Sequence, residues 1–245
     1  MNTVDVLVTV GRVTARALLG RRRTILMALL AGAPVLLGIL IRLGSGTRPT
    51  ALQTSLDGLI VSSVLPLVAL VFGSAALGSE LDDGTGIHLL TKPIPRWAIV
   101  VPKIVVAGGL TAVLVVPSTL LSGVLIGGMG SHQTAVTLAF AAAVLIGSFV
   151  YSAIFVALGA ATSRGLIIGL GYTLLWEGLL SAALKGTQLF SVREYIRGMA
   201  SAIAPRGDIQ SVVGGAAFVF AAIALVIVTF LAANRLADYE IRSGD

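Results

Sequence analysis

The chain has 245 residues, 56% of them hydrophobic and 11% charged, whereas a soluble domain carries roughly 25% charged residues. Water is therefore the wrong solvent for most of it, and the length admits several spans of about 20 apolar residues but no large soluble domain beside them. The net charge of +6 is carried by 14 Arg and 3 Lys spread between apolar stretches, without the continuous basic face that nucleic acid requires. The absence of cysteine excludes disulfides, thiol nucleophiles and thiolate metal sites. A single transmembrane domain over residues 1–245 is expected.

At the amino end, Val4, Leu7, Val8, Gly11, Thr14, Ala15 and Leu18 recur at helical spacing, opposite Asp5, Thr9, Arg12 and Arg16. This pattern predicts an amphipathic interfacial helix over about 4–18, with its Arg side chains at lipid phosphates and its apolar side in the acyl boundary. Arg21, Arg22 and Arg23 then precede an apolar run of near full spanning length. A signal peptide has a core of only ~7–15 apolar residues, so the run is expected to be the first transmembrane helix, about 24–43. Further apolar stretches follow at about 58–78, 104–128, 134–161, 165–184 and 210–233. Lipid cannot hydrogen-bond an exposed backbone, and these stretches lack the dyad alternation of barrel strands, so helices are expected. The predicted fold class is all-α: a polytopic membrane bundle of six transmembrane helices behind an amino-terminal interfacial helix. Six spans put both termini on one side, and eleven basic residues fall on that side against six on the other, which places both termini in the cytoplasm.

The loop 79–103 between the second and third spans is the most informative polar stretch. Glu80, Leu81, Asp82 and Asp83 suit the start of a short cytosolic helix, whose dipole favours acids, and Pro93 and Pro95 force an extended exit. Ala161–Gly165, with Arg164, makes a tight cytosolic turn between the fourth and fifth spans. Glu177 lies ~20 Å along the fifth span from Arg164, about two thirds of the way across the core. An acid there costs on the order of 2–3 kcal/mol to insert, so it should face protein or water. It either lines a translocation path or dimer seam, or it bonds a neighbouring helix or reaches the interface beside Trp176. Val192, Tyr195, Ile196, Met199 and Ile203 predict a second amphipathic helix at about 191–204, on or dipping into the outer leaflet, with Ser191 and Glu194 as a capping box. Pro34, Pro66 and Pro117 interrupt spans beside Ser62, Ser63, Ser118 and Thr119, whose hydroxyls suit freed carbonyls. Gly123 with Gly127, and Gly165 with Gly169, have the spacing of close helix approach. His88 and His132 are isolated, so no metal site is expected.

The segment from Gly78 to Trp97, followed by Lys103, resembles the permeases of type-2 ATP-binding-cassette exporters. Members of that family place a Glu after the second span, then a Gly-Thr pair, a Leu-Leu pair, a Pro, an Arg and a Lys. Here these are Glu80, Gly84, Thr85, Leu89, Leu90, Pro93, Arg96 and Lys103. The turn Ala161–Gly165 and the run Gly171–Glu177 look like the same family's later half. The resemblance implies that the loop is a coupling element docking into an ATPase subunit, through those residues with Asp82, Asp83 and Arg164. It also implies two copies of an ABC ATPase and a second permease, identical or related.

No Gly-rich phosphate loop with Lys-Ser/Thr occurs in the sequence. The chain is therefore expected to be a transport subunit and not an enzyme, without a cofactor of its own, ATP and Mg being bound by the partner. Its expected setting is the cytoplasmic membrane, and its expected cargo amphipathic, lipid-like or drug-like. An ATP-independent secondary transporter or channel is an alternative, although no internal repeat is visible. An accessory permease for metalloenzyme maturation or toxin immunity is another. An intramembrane enzyme would need several clustered polar side chains within the spans, and Glu177 stands alone there.

Overall fold

A backbone surrounded by lipid satisfies its own hydrogen bonds most simply as helix. The computed structural model describes residues 3–82, 95–162, 164–180, 187–204, 209 and 211–242, and every regular element among them is helical. The first two are α1 (Thr3–Leu18) and α2 (Arg21–Ser45). An unbroken helical run follows, made of α3 (Pro49–Ser55), a π-helical segment (Leu56–Val64) and α4 (Leu65–Asp82). Then come α5 (Trp97–Gly127), α6 (Ser131–Ala161) and α7 (Gly165–Gly171), which continues into a second π-helical segment (Tyr172–Leu180). A 3-10 turn (Thr187–Phe190), α8 (Val192–Ile203), a further 3-10 turn (Gly214–Ala216) and α9 (Ala217–Arg242) complete the chain.

Five helices among the described residues are long and apolar enough to cross a membrane: Arg22–Gly44, Thr50–Gly78, Trp97–Gly127, Ser131–Ala161 and Gly214–Leu236. The apolar stretch expected as a fifth span at 165–184 is described only as far as Leu180, as α7 with the second π segment, and is not one of the five. Two spans begin earlier than their hydropathy indicates. The second reaches back to Thr50 because polar Gln53, Thr54 and Asp57 are carried within the helix. The third reaches back to Trp97 and so takes in Lys103.

The bundle is organised around α6, which touches α4, α5, α7, α8 and α9, while α1 and α2 lie against α5. Phe72 from α4 and Phe140, Tyr151 and Phe155 from α6 are wholly buried in the shared core. Between 56% and 67% of each apolar window is buried in the three inner spans, but only 17% in α2 and in α9. These two helices flank the bundle and turn side chains such as Leu29, Leu40, Val226 and Phe230 outward. Helix α1 buries Val6, Thr14 and Leu18, with Gly11 facing Pro102 and Val106 of α5, and exposes Asp5, Val8, Thr9, Arg12, Val13 and Arg16.

Close approach depends on glycine at the positions the spacing picks out. A Cβ on Gly123 would lie 2.3 Å from Thr137 Cγ2, and one on Gly169 would lie 2.3 Å from Leu70 Cδ1. A backbone-on-backbone junction joins α4, α6 and α7. A Cβ on Gly159 would meet the Ser74 carbonyl oxygen at 3.0 Å, and one on Gly165 would meet Gly159 Cα at 3.0 Å and the Leu158 oxygen at 3.1 Å. Backbone lies on backbone there, so a side chain has nowhere to go. Gly165→Val is accordingly expected to lose the monodisperse gel-filtration peak in detergent, whereas Gly171→Ala, at a helix position with nothing within 4 Å, should keep it.

Among the prolines, Pro34 lies within α2 and Pro117 within α5. The Ser118 hydroxyl donates to the Ala31 carbonyl at 2.5 Å, three residues before Pro34, and so ties the two helices where one is interrupted. Ser62 and Ser63 donate five residues back instead, to the carbonyls of Asp57 (2.7 Å) and Gly58 (3.4 Å). The π register ends at Val64, just before Pro66. A proline that lacks an N–H and crowds the preceding turn favours this wider winding over the α form.

Candidate functional site

Two polar regions stand out in an otherwise apolar molecule, one at each end of α4. At the loop end, α4 runs to Asp82 and carries the backbone of Glu80 in its last turn, while α5 starts at Trp97. Asp83, Gly84, Thr85, Leu89, Leu90 and Pro93 lie outside the described residues, as do the side chains of Glu80 and Asp82. Arg96 is half-buried at the start of α5, and Arg164 is exposed in the turn before α7. Lys103 is fully buried in the second turn of α5, and its ammonium donates to the Ala76 carbonyl at 2.7 Å. A cation near the carboxyl end of a helix is favoured by the helix dipole. Lys103 thus cross-braces the two helices from which the loop departs, and it does so from inside the bundle. Lys103→Glu would set a carboxylate against that carbonyl and is expected to prevent folding. Lys103→Met, of similar volume and uncharged, is expected to give protein that unfolds within a few degrees of the native chain. Thermal unfolding in detergent compares them.

At the other end, the two π-helical segments and α8 form a node of charged groups. Ser191 caps α8, accepting from the Glu194 amide at 3.3 Å. The Glu194 side chain does not return to close the box; its Oε1 accepts from the Val212 amide at 2.8 Å. In its place, Glu177 of the second π segment reaches the start of α8. Glu177 is 2% exposed. Its carboxylate accepts from the Ser191 hydroxyl (2.7 Å), the Val192 amide (2.9 Å), the Arg193 amide (3.4 Å) and the Tyr172 hydroxyl (3.0 Å). Free N–H groups at a helix start form a natural anion site, which is how an acid is accommodated at this depth. Through these bonds Glu177 is joined to a neighbouring helix. Tyr151 stacks on Phe155 (ring centroids 6.0 Å apart), and Phe155 meets Tyr172 edge-on (6.3 Å), giving the node an aromatic wall.

From the opposite side, Asp57 of the first π segment receives Arg197 in a two-pronged pair, Nε to Oδ1 at 2.6 Å and Nη2 to Oδ2, and also Arg193 Nη2 at 3.1 Å. The bond to Asp57 raises the Arg197 pKa, and the Asp57 charge adds to this, so the guanidinium keeps its proton. Hydropathy alone does not single out Asp57 or either arginine. The recoverable signal is an acid just inside the second span, together with two arginines at i, i+4 on the helix that follows the fifth apolar stretch. Helix α8 packs against the middle of α6: Ile196 lies where a Cβ on Gly147 would be 2.5 Å away, and Gly147 is about 24 Å along α6 at 1.5 Å per residue.

A bundle with five helices long and apolar enough to cross a membrane among the described residues defines an integral membrane protein. The profile of the ABC-2 family transporter proteins matches residues 19–177, from just before α2 to Glu177 and across the whole loop, and the chain belongs to that family. No curated protein matches it. Membership makes the chain a membrane permease subunit of an ABC transporter and implies pairing with an ABC ATPase subunit.

Proposed function

We propose that the chain is the permease of an ATP-driven exporter, moving an amphipathic, lipid-like or drug-like substrate outward by alternating access. The ATPase is a separate subunit present in two copies, and a second permease, identical or related, completes the pathway. The chain crosses the cytoplasmic membrane six times, the run of α7 and the second π segment making the fifth crossing, with both termini in the cytoplasm. Helix α1 lies along the inner surface with Arg12 and Arg16 toward lipid phosphates. The loop after α4 docks on the ATPase through Glu80, Asp82, Asp83, Gly84, Thr85, Leu89, Leu90, Pro93 and Arg96. Lys103 acts from within, holding the angle at which the loop leaves the bundle, and Arg164 meets the partner from the turn before α7.

The observation that carries this reading is the Lys103 to Ala76 bond, which makes one stiff base of two spans at the point where a motor would push. The test is reconstitution in liposomes with a candidate ABC ATPase subunit. Co-purification, with ATP hydrolysis that responds to the permease, is expected. Transport by the chain alone, without ATP, would exchange this reading for a secondary transporter or channel.

A further inference from the structure

Asp57 and Glu177 hold the same helix in physically different ways. Glu177 is dry, and two of its donors are backbone amides fixed at the start of α8. With no water to take over those bonds, breaking them strands several buried groups at once. Asp57 holds only side chains, and it is wetter: 16% exposed, against 19% for Arg193 and 30% for Arg197. A partly exposed ion pair costs less to part than a dry one, because water can take over part of its hydrogen bonding. Arg197 also has a second acid within reach, Glu194 on its own helix, with Nη1 to Oε2 at 3.6 Å. Arg193 Nε is buried without a hydrogen-bond partner, so the closed arrangement leaves one donor unsatisfied. Both acids sit in π-helical stretches, a winding often found where helices adjust.

We infer that α8 is a strap, joined permanently to the second π segment through Glu177 and latched releasably to the first through Asp57 with Arg193 and Arg197. When the outer ends of α4 and α7 separate, Asp57 parts from the arginines while α8 travels with the second π segment. This goes beyond the proposed function by naming the contact that opens. Its test uses neither cargo nor ATPase, so failure here would leave that reading standing.

The chain has no cysteine, so single reporters are clean. Ala200 and Val192 are both buried on α8, Ala200 on the stripe of Arg193 and Arg197 and Val192 beside Glu177. Each is replaced by cysteine and labelled with a polar maleimide in detergent-purified protein. Asp57→Asn is expected to speed labelling at Ala200→Cys about tenfold, as local opening becomes easier, and to leave Val192→Cys unchanged. Arg197→Gln should do the same, and the two changes together should add little to either alone. Should Asp57→Asn not fold, Arg197→Gln carries the comparison. No acceleration at Ala200→Cys, or equal acceleration at both reporters, overturns the inference.

Discussion

Glu177→Leu is expected to eliminate the folded permease. The change leaves the Ser191 and Tyr172 hydroxyls and the amides of Val192 and Arg193 without the carboxylate that accepts from them. Each buried donor left unsatisfied costs about 1–3 kcal/mol. The Ser191 hydroxyl and Val192 amide bonds are fully buried and the other two half-buried, so their combined loss approaches the net stability of a typical domain, about 5–15 kcal/mol. Leucine adds a shape problem, since its branched end would press on the start of α8. Glu177→Gln keeps one acceptor oxygen but turns an amide group toward other donors, and it is expected to fold with stability lowered by about 1–3 kcal/mol. Gel filtration of a fluorescent fusion, followed by thermal unfolding, distinguishes the three proteins. A leucine variant with a native peak and native unfolding temperature would mean that Glu177 is no fastener.

The second large effect is functional. Glu80→Lys is expected to leave membrane insertion and the gel-filtration peak intact while cutting transporter-stimulated ATP hydrolysis by at least about tenfold, the scale of a coupling energy of 1–3 kcal/mol. Glu80 lies one turn beyond Ala76, whose carbonyl receives the buried Lys103 ammonium. The substitution reverses the charge proposed to face the ATPase. Glu80→Gln separates loss of the charge from its reversal. It should retain ATPase binding more fully than the lysine variant. Unchanged binding and hydrolysis with Glu80→Lys would remove Glu80 from the coupling surface.

How far these features are legible in the sequence depends on their range. Apolar runs report solvent, so α2, α6 and the end of α5 can be read within a few residues, while the first two turns of α5 are missed, and the loop motif from Glu80 to Lys103 points to the family. Ser191 announces the start of α8 because capping is local. The partners of Glu194 and Glu177 are not local: one acid reaches forward to Val212, and the other crosses from a different helix. Nor does periodicity foretell the two π segments, since their winding answers to packing, and in the first to the proline that follows, as much as to residue preference. Lys103 illustrates the same limit. A lysine at a hydropathy boundary reads as loop, yet its stem and ammonium are enclosed between α4 and α5. Asp57 escapes notice for a related reason, since its counter-charges lie 136 and 140 residues away.

The glycine junction of α4, α6 and α7 has a bearing on how effort is passed through the molecule. Where Ser74 and Gly78 meet Gly159, and Gly159 meets Gly165, main chains touch with no deformable side chains between them. A shove on the last turn of α4 thus reaches α7 without slack, much as in a gear train whose teeth fit closely. Because α4 and α7 continue, away from that junction, into the stretches bearing Asp57 and Glu177, a small tilt at one end is magnified by lever length at the other.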